Sequence, residues 1–115
     1  MSSPVVHLEV VGQDGQKLQS FYSELFGWQL DANNPMNYGV GTVNDTVGVG
    51  VGRAPEGPGG ATFYMAVDSV AGALDKAESL GGQKMMGPME VPEGPTIGLF
   101  TDPEGNRIGV FEPTA

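Results

Sequence analysis

The stretch FYSELFGW, residues 21–28, decides the fold of this chain. Its apolar side chains and Leu18 recur at the spacing of a single helical face. Asp14 is a suitable residue to begin this helix, because its carboxylate can accept a hydrogen bond from the first turn. Gly27 is suited to end it, because glycine readily adopts the left-handed conformation of a helix C-cap. The stretch therefore predicts an amphipathic helix that stops at a glycine and is followed by a strand.

The residues on either side of this helix predict strands. Val5–Val11 alternates and is rich in β-branched residues, which is typical of a strand. Trp28–Asp31, Tyr38–Val43 and Thr46–Gly52 predict three short strands after the helix. The first half of the chain is thus predicted to follow the order βαβββ.

The second half repeats this plan. A predicted helix begins near Asp68, the expected N-cap, and closes at Gly81 and Gly82. The predicted strands around it are Thr62–Val67, Gln83–Met86, Thr96–Thr101 and Arg107–Phe111. The helix stops fall at similar distances after the opening strand of each half, which favours an internal duplication. We predict a single α+β domain over residues 1–115, with module 1 at about 1–53, a Pro/Gly-rich linker at about 54–60 and module 2 at about 61–115.

Composition narrows the classes of function. The chain has no cysteine, which excludes disulfides and thiolate metal sites and favours a cytoplasmic location. Its net charge of −9, with five Lys and Arg residues, makes nucleic acid a poor partner. No apolar run approaches the ~18 residues of a membrane span, and the first residues do not resemble a signal peptide, so we expect no membrane partner.

FYSELFGW, the DPEGN motif at residues 102–106 and His7 together resemble the vicinal oxygen chelate superfamily. This superfamily contains glyoxalase I, bleomycin-resistance proteins and extradiol dioxygenases. The resemblance implies two βαβββ modules that form a half-open, eight-stranded mixed sheet or cup with both helices outside. It also implies a small-molecule ligand in the cup and a homodimer.

The resemblance implies up to four metal ligands, from the first, fourth, fifth and eighth strands. Only the first position matches, at His7; the others fall on Thr62, on Gly109 and near Gly48 or Gly50. Because a catalytic metal generally keeps at least three protein ligands, we expect no resident metal cofactor. The alternative is a divalent metal ion held by His7, Glu9 and a displaced carboxylate.

Alternation along the predicted strands places His7 and Glu9 on one face, toward the cup. An imidazole beside a carboxylate is a candidate catalytic acid/base unit, with Glu9 paired to His7 or Arg107. The same pair could instead be an internal ion pair, and His7 a satisfied interior histidine. The predicted ligand-binding residues are Thr62, Tyr64, Arg107, Phe111, Gly50 and Gly109. The alternating glycines of residues 48–52 predict a floor that a ligand or another group can approach closely.

Three functions from different classes remain open at this point. The first is a metal-free protein that binds a small organic molecule in its cup. The alternative is a lyase, isomerase or dioxygenase, either metal-dependent or based on His7 and Glu9, that acts on a small carbonyl or aromatic substrate. A degenerate module that serves only in a dimer or in regulation is the third.

Overall fold

The computed structural model describes residues 2–54, 57, 59–92 and 94–113. In this part of the chain, two helices and seven strands confirm the predicted α+β class. The elements are β1 (Val5–Gly12), α1 (Gly15–Phe26), β2 (Gly39–Thr42), β3 (Gly48–Arg53), β4 (Gly60–Ala66), α2 (Val70–Ser79), β5 (Gln83–Glu90), β6 (Thr96–Thr101) and β7 (Arg107–Glu112). The predicted linker at 54–60 lies partly outside the described residues. Among the described residues, no helix has the length and apolar character that crossing a membrane requires.

The chain divides into two compact units. One runs over residues 7–62, and the other combines the residues before His7 with those from Phe63 onward. In the 7–62 unit, β1 pairs parallel to β3 and β2 pairs antiparallel to β3, in the order β2-β3-β1. In the other unit, β4 pairs parallel to β7, which continues antiparallel through β6 to β5. Both units therefore use the same pairing pattern, in which the opening strand lies parallel to the closing one.

The predicted limits of α1 are confirmed. The Asp14 carboxylate accepts a hydrogen bond from the Lys17 backbone N–H at 3.0 Å, which satisfies one free donor of the first turn. Gly27 has φ 72° and donates its N–H to the Ser23 carbonyl at 2.9 Å. This left-handed conformation suits glycine and stops the helix.

The prediction of a strand at Trp28–Asp31 is wrong, so the described part of the chain has seven strands and not eight. Only Asp31 pairs, in an isolated bridge with Val40. The Asp31 carboxylate accepts from the Asn33 N–H at 2.9 Å, which turns the chain before a strand can extend. Trp28 stacks on the ring of Tyr22 in α1 at a centroid distance of 5.6 Å, so it packs against the helix and does not pair with a strand.

The N-cap of α2 is also corrected. Ser69, and not Asp68, has the extended cap conformation, and its Oγ accepts from the Gly72 N–H at 3.0 Å. The Glu112 carboxylate accepts from the Val70 N–H at 2.9 Å, which places a negative charge at the positive end of the helix. Val70 and Leu74 are fully buried and pack with Val110 as the core of this unit. Glu112 thus stabilises the first turn of α2 through this hydrogen bond.

Candidate functional site

A tyrosine hydroxyl lies between the two predicted acid/base residues. The Tyr38 Oη donates to Glu9 Oε2 at 2.9 Å and lies 3.0 Å from His7 Nε2. All three side chains are half-buried and belong to the 7–62 unit. His7 and Glu9 are two residues apart on β1, so strand alternation puts both on one face. The result is a hydrogen-bonded cluster, which we call the His7–Tyr38–Glu9 cluster.

The glycines of β3 make room for the Tyr38 ring. A Cβ at Gly50 would overlap the Tyr38 hydroxyl and Cζ, and a Cβ at Gly52 would lie 2.9 Å from Tyr38 Cδ1. Gly48 and Gly50 are the register partners of His7 and Glu9, so the glycines lie beside the cluster. The predicted glycine floor therefore exists, and a tyrosine of the same unit lies on it.

Two polar side chains hold the backbone at Tyr38. The Asn34 side chain accepts from the Tyr38 N–H at 3.0 Å and donates to the Tyr38 carbonyl at 2.7 Å. The Gln19 amide donates to the Val51 and Asn37 carbonyls, both at 2.8 Å, and so ties α1 to β3 and to the segment before Tyr38. These contacts restrict where the ring can go.

The protonation of the cluster follows from its hydrogen bonds. Burial lowers the pKa of His7 from its ordinary value of 6.5, because desolvation disfavours the imidazolium. His7 is thus neutral at pH 7. Since the Tyr38 hydroxyl donates its one proton to Glu9, a hydrogen bond between Tyr38 and His7 requires the His7 tautomer that carries its proton on Nε2. This arrangement places an N–H, an O–H and a carboxylate in sequence, the elements of a short proton path.

The other predicted ligand-binding residues lie on β4 and β7. Thr62 is buried at the end of the 7–62 unit, whereas Tyr64, Gly109, Phe111 and Arg107 belong to the other unit. Tyr64 is the register partner of Gly109, and a Cβ at Gly109 would overlap the Tyr64 ring. Phe111, the partner of Ala66, is half-buried, as is Arg107 at the start of β7. A second glycine with a tyrosine over it therefore occurs in this unit.

The sequence did not indicate Tyr38 as a site residue, although the structure places its hydroxyl within hydrogen-bond distance of both His7 and Glu9. The pairing of Glu9 with His7 or Arg107 stays a prediction. The signal was present in the glycine alternation of residues 48–52, since a strand face without side chains must be covered by a large group. The sequence did not say which of several aromatic residues would cover it.

The described residues do not fit a catalytic metal. No group of three or more His, Cys, Asp or Glu side chains among them is arranged to hold an ion. His7 directs Nε2 to the Tyr38 hydroxyl. The Glu112 carboxylate, the nearest candidate for a displaced ligand in the sequence, is bound to the Val70 N–H. Fewer than three converging ligands fall short of a catalytic site.

Comparison with known proteins identifies related chains. The model of the Glyoxalase/Bleomycin resistance protein/Dioxygenase superfamily matches residues 5–110. CFP32 of Mycobacterium bovis, which is named as a candidate glyoxylase, is 32% identical over 117 aligned residues that cover 93% of this chain. The match covers 44% of that relative, so this chain spans less than half the length of CFP32.

Solved structures show a similar fold. Methylmalonyl-CoA epimerase of Streptomyces coelicolor, in complex with 2-nitronate-propionyl-CoA, has a TM-score of 0.71 and 14% identity, covering 100% of this chain and 97% of that chain. A superfamily member from Vibrio splendidus has a TM-score of 0.65 and 17% identity, covering 96% of this chain and 99% of that one. At such identities, these matches support the fold alone.

Proposed function

Since the chain belongs to the Glyoxalase/Bleomycin resistance protein/Dioxygenase superfamily, we propose that it binds a small organic molecule at the His7–Tyr38–Glu9 cluster without a resident metal. The observation that carries this proposal is the Tyr38 hydroxyl held between an imidazole and a carboxylate above the glycines of β3. A few convergent polar groups beside apolar surface are typical of small-molecule sites.

The chemistry of the cluster favours a ligand with a hydrogen-bond donor or a positive charge. The Glu9 carboxylate is an acceptor only, and the net charge of −9 attracts cations at long range. A ligand that displaced the Tyr38 ring would gain the glycine floor as contact surface. The donor set supports independence from metal, because His7 and Glu9 supply two potential ligands where a catalytic ion needs three. A homodimer and a cytoplasmic location complete the proposal, the latter supported by the absence of cysteine.

Metal content and ligand binding test this proposal together. The untagged protein would be exposed to Zn, Ni, Mn and Fe(II), desalted and measured by inductively coupled plasma mass spectrometry, beside His7→Ala. We expect no retained metal in either protein. A fragment library enriched in amines and phenols would then be screened by ligand-observed NMR. We expect hits that weaken in Glu9→Gln and persist in Lys84→Gln, a surface control; stoichiometric metal that depends on His7, or hits indifferent to Glu9, would contradict the proposal.

An acid/base enzyme is the second candidate, and the proton path from His7 through Tyr38 to Glu9 favours it. In this function Glu9 would receive a substrate proton through the Tyr38 hydroxyl. Two substrate classes suit the comparisons: a 2-oxoaldehyde–thiol adduct, after the relatives' names, and an acyl-CoA with an acidic α-proton, after the epimerases. Loss of turnover in Tyr38→Phe would support catalysis. If the protein exchanges none of the substrate's protons for deuterium in deuterated water, that result would argue against it.

A further inference from the structure

Helix α1 leaves an aromatic surface uncovered. None of its residues is buried, and Phe21, Leu25 and Phe26 are 55%, 58% and 58% exposed. In the other unit, α2 packs across β5, β6 and β7 and buries Val70 and Leu74 completely. The main packing partner of α1 is β3 alone. The two helices have comparable apolar faces, but strands bury the apolar face of α2 and leave much of that of α1 exposed.

The absent strand explains this difference. The pairing pattern of the other unit has β5 beyond β6, whereas the corresponding place in the 7–62 unit holds only the bridge between Asp31 and Val40. A helix over a narrower sheet has fewer strands against which to bury its apolar face. Phe26 and Trp28, which border a concavity of about 460 Å³ with Val43, lie beside this segment.

The half-buried rings of Tyr22 and Trp28 connect the exposed rings of Phe21 and Phe26 into one surface. Tyr22 contacts Phe21 edge to face at 5.0 Å, and it stacks on Phe26 at 6.0 Å and on Trp28 at 5.6 Å between ring centroids. Phe26 and Trp28 lie 5.3 Å apart. We call Phe21, Tyr22, Leu25, Phe26 and Trp28 the α1 aromatic surface. With more than half of each phenylalanine exposed, it offers roughly 300 Å² of apolar area, comparable to the largest patch on a typical monomer.

We propose that a second copy of this chain covers the α1 aromatic surface through a symmetric, antiparallel α1–α1 contact. A twofold axis near Phe21 would bring Lys17 of one copy opposite Glu24 of the other, twice per dimer. Both side chains are exposed and lie two turns apart on one side of α1, flanking Phe21. This self-complementarity opposes the repulsion between two copies of charge −9.

The α1 aromatic surface, at roughly 300 Å², would form the centre of a dimer interface and not the whole of it. A standard interface buries about 800 Å² per partner around an apolar, aromatic centre. The α1 aromatic surface supplies such a centre, and the polar residues along α1 supply part of its rim. The α1 aromatic surface is thus the proposed interface of the homodimer, and this contact does not depend on the ligand site.

Sedimentation velocity of the full chain, from low to several hundred micromolar, tests the contact. We expect a dimer that Phe21→Ser combined with Leu25→Ser weakens at least tenfold. Leu80→Ser is the matched control, since Leu80 is 70% exposed at the C-cap of α2, and it should leave the dimer unchanged. A wild-type monomer throughout, or a dimer indifferent to the double variant, would overturn the proposal. Ligand binding by such a monomer would leave the proposed ligand site intact and would remove only the homodimer from the proposal.

Charge reversal provides a test that retains the apolar residues. Lys17→Glu and Glu24→Lys should each weaken the dimer about tenfold, because each replaces two attractive contacts by two repulsive ones. The variant with both changes should return to near wild-type affinity, since the pairs are re-formed with the signs exchanged. Equal weakening in the double variant, with far-UV circular dichroism showing folded protein, would overturn the antiparallel arrangement.

Discussion

Gly50→Ala tests whether the Tyr38 ring is held on β3 by the absence of a side chain. The new methyl group would overlap the Tyr38 hydroxyl and Cζ. The ring cannot simply retreat, because Asn34 fixes the Tyr38 backbone on both its N–H and its carbonyl. It must therefore change rotamer, and the hydrogen bonds to Glu9 and His7 are lost.

The magnitude follows from these losses. A hydrogen bond to a carboxylate contributes about 1.5–3 kcal/mol and a neutral one about 0.5–1.5 kcal/mol. Replacing glycine by alanine returns about 0.5–1 kcal/mol, because the unfolded chain loses freedom. We expect Gly50→Ala to lower the free energy of unfolding by about 2 kcal/mol. Gly72→Ala is the same change at an exposed position of α2, where the new Cβ would lie 3.3 Å from the Ser69 Oγ and would overlap no ring, so we expect it to change the free energy of unfolding by less than Gly50→Ala does.

Urea denaturation followed by circular dichroism measures both effects, and a double-mutant cycle isolates the cause. In a Tyr38→Ala background the ring is gone, so Gly50→Ala should be neutral or slightly stabilising. A cost of Gly50→Ala that is the same with and without the Tyr38 ring would refute the reasoning. So would a Gly50→Ala protein as stable as the wild type.

Three further predictions concern His7, Ser69 and Asp102. Burial lowers the pKa of His7, so below pH 6.5 the unfolded chain binds a proton that the folded chain does not, and the free energy of unfolding decreases as the pH is lowered through that range. His7→Gln should therefore reduce the difference in unfolding free energy between about pH 7.5 and about pH 5.5. Ser69→Ala should cost about 1 kcal/mol in urea denaturation and Asp68→Ala less, because Ser69 is the observed N-cap of α2. The Asn106 side chain and backbone N–H donate to the Asp102 carboxylate and lower its pKa, so Asn106→Ala should raise that pKa toward 3.8 in an NMR titration of the carboxyl carbon; an unchanged value would contradict this assignment.

Local signals in the sequence were sufficient for most of the secondary structure. Asp14 and Gly27 limit α1 as expected, because a cap depends on a few neighbouring backbone groups. The alternation of β1 placed His7 and Glu9 on one face, since side-chain direction in a strand has a period of two. The family resemblance and the α+β class likewise required no knowledge of distant contacts.

Where several local solutions compete, the outcome depended on tertiary structure. Asp68 and Ser69 are both acceptable N-caps, and only the structure shows that Ser69 has the extended cap conformation and accepts from the Gly72 N–H. Trp28–Asp31 has strand-forming composition, but the Trp28 ring packs on Tyr22 at one end of this segment and the chain turns at Asp31 at the other, so no strand forms between them. A strand needs a partner along its length, and a pattern in one segment contains no information about that partner.

The sequence by itself determined the family, the order of the elements apart from the strand wrongly predicted at Trp28–Asp31, and two of the three residues of the cluster. Only the tertiary structure identified Tyr38, because its place depends on the meeting of three segments that are far apart in the chain: β1, the turn at Asn34 and the glycines of β3. The exposure of Phe21 and Phe26 on α1 likewise could be recognised only from the structure, since an apolar helical stripe predicts burial without specifying what buries it.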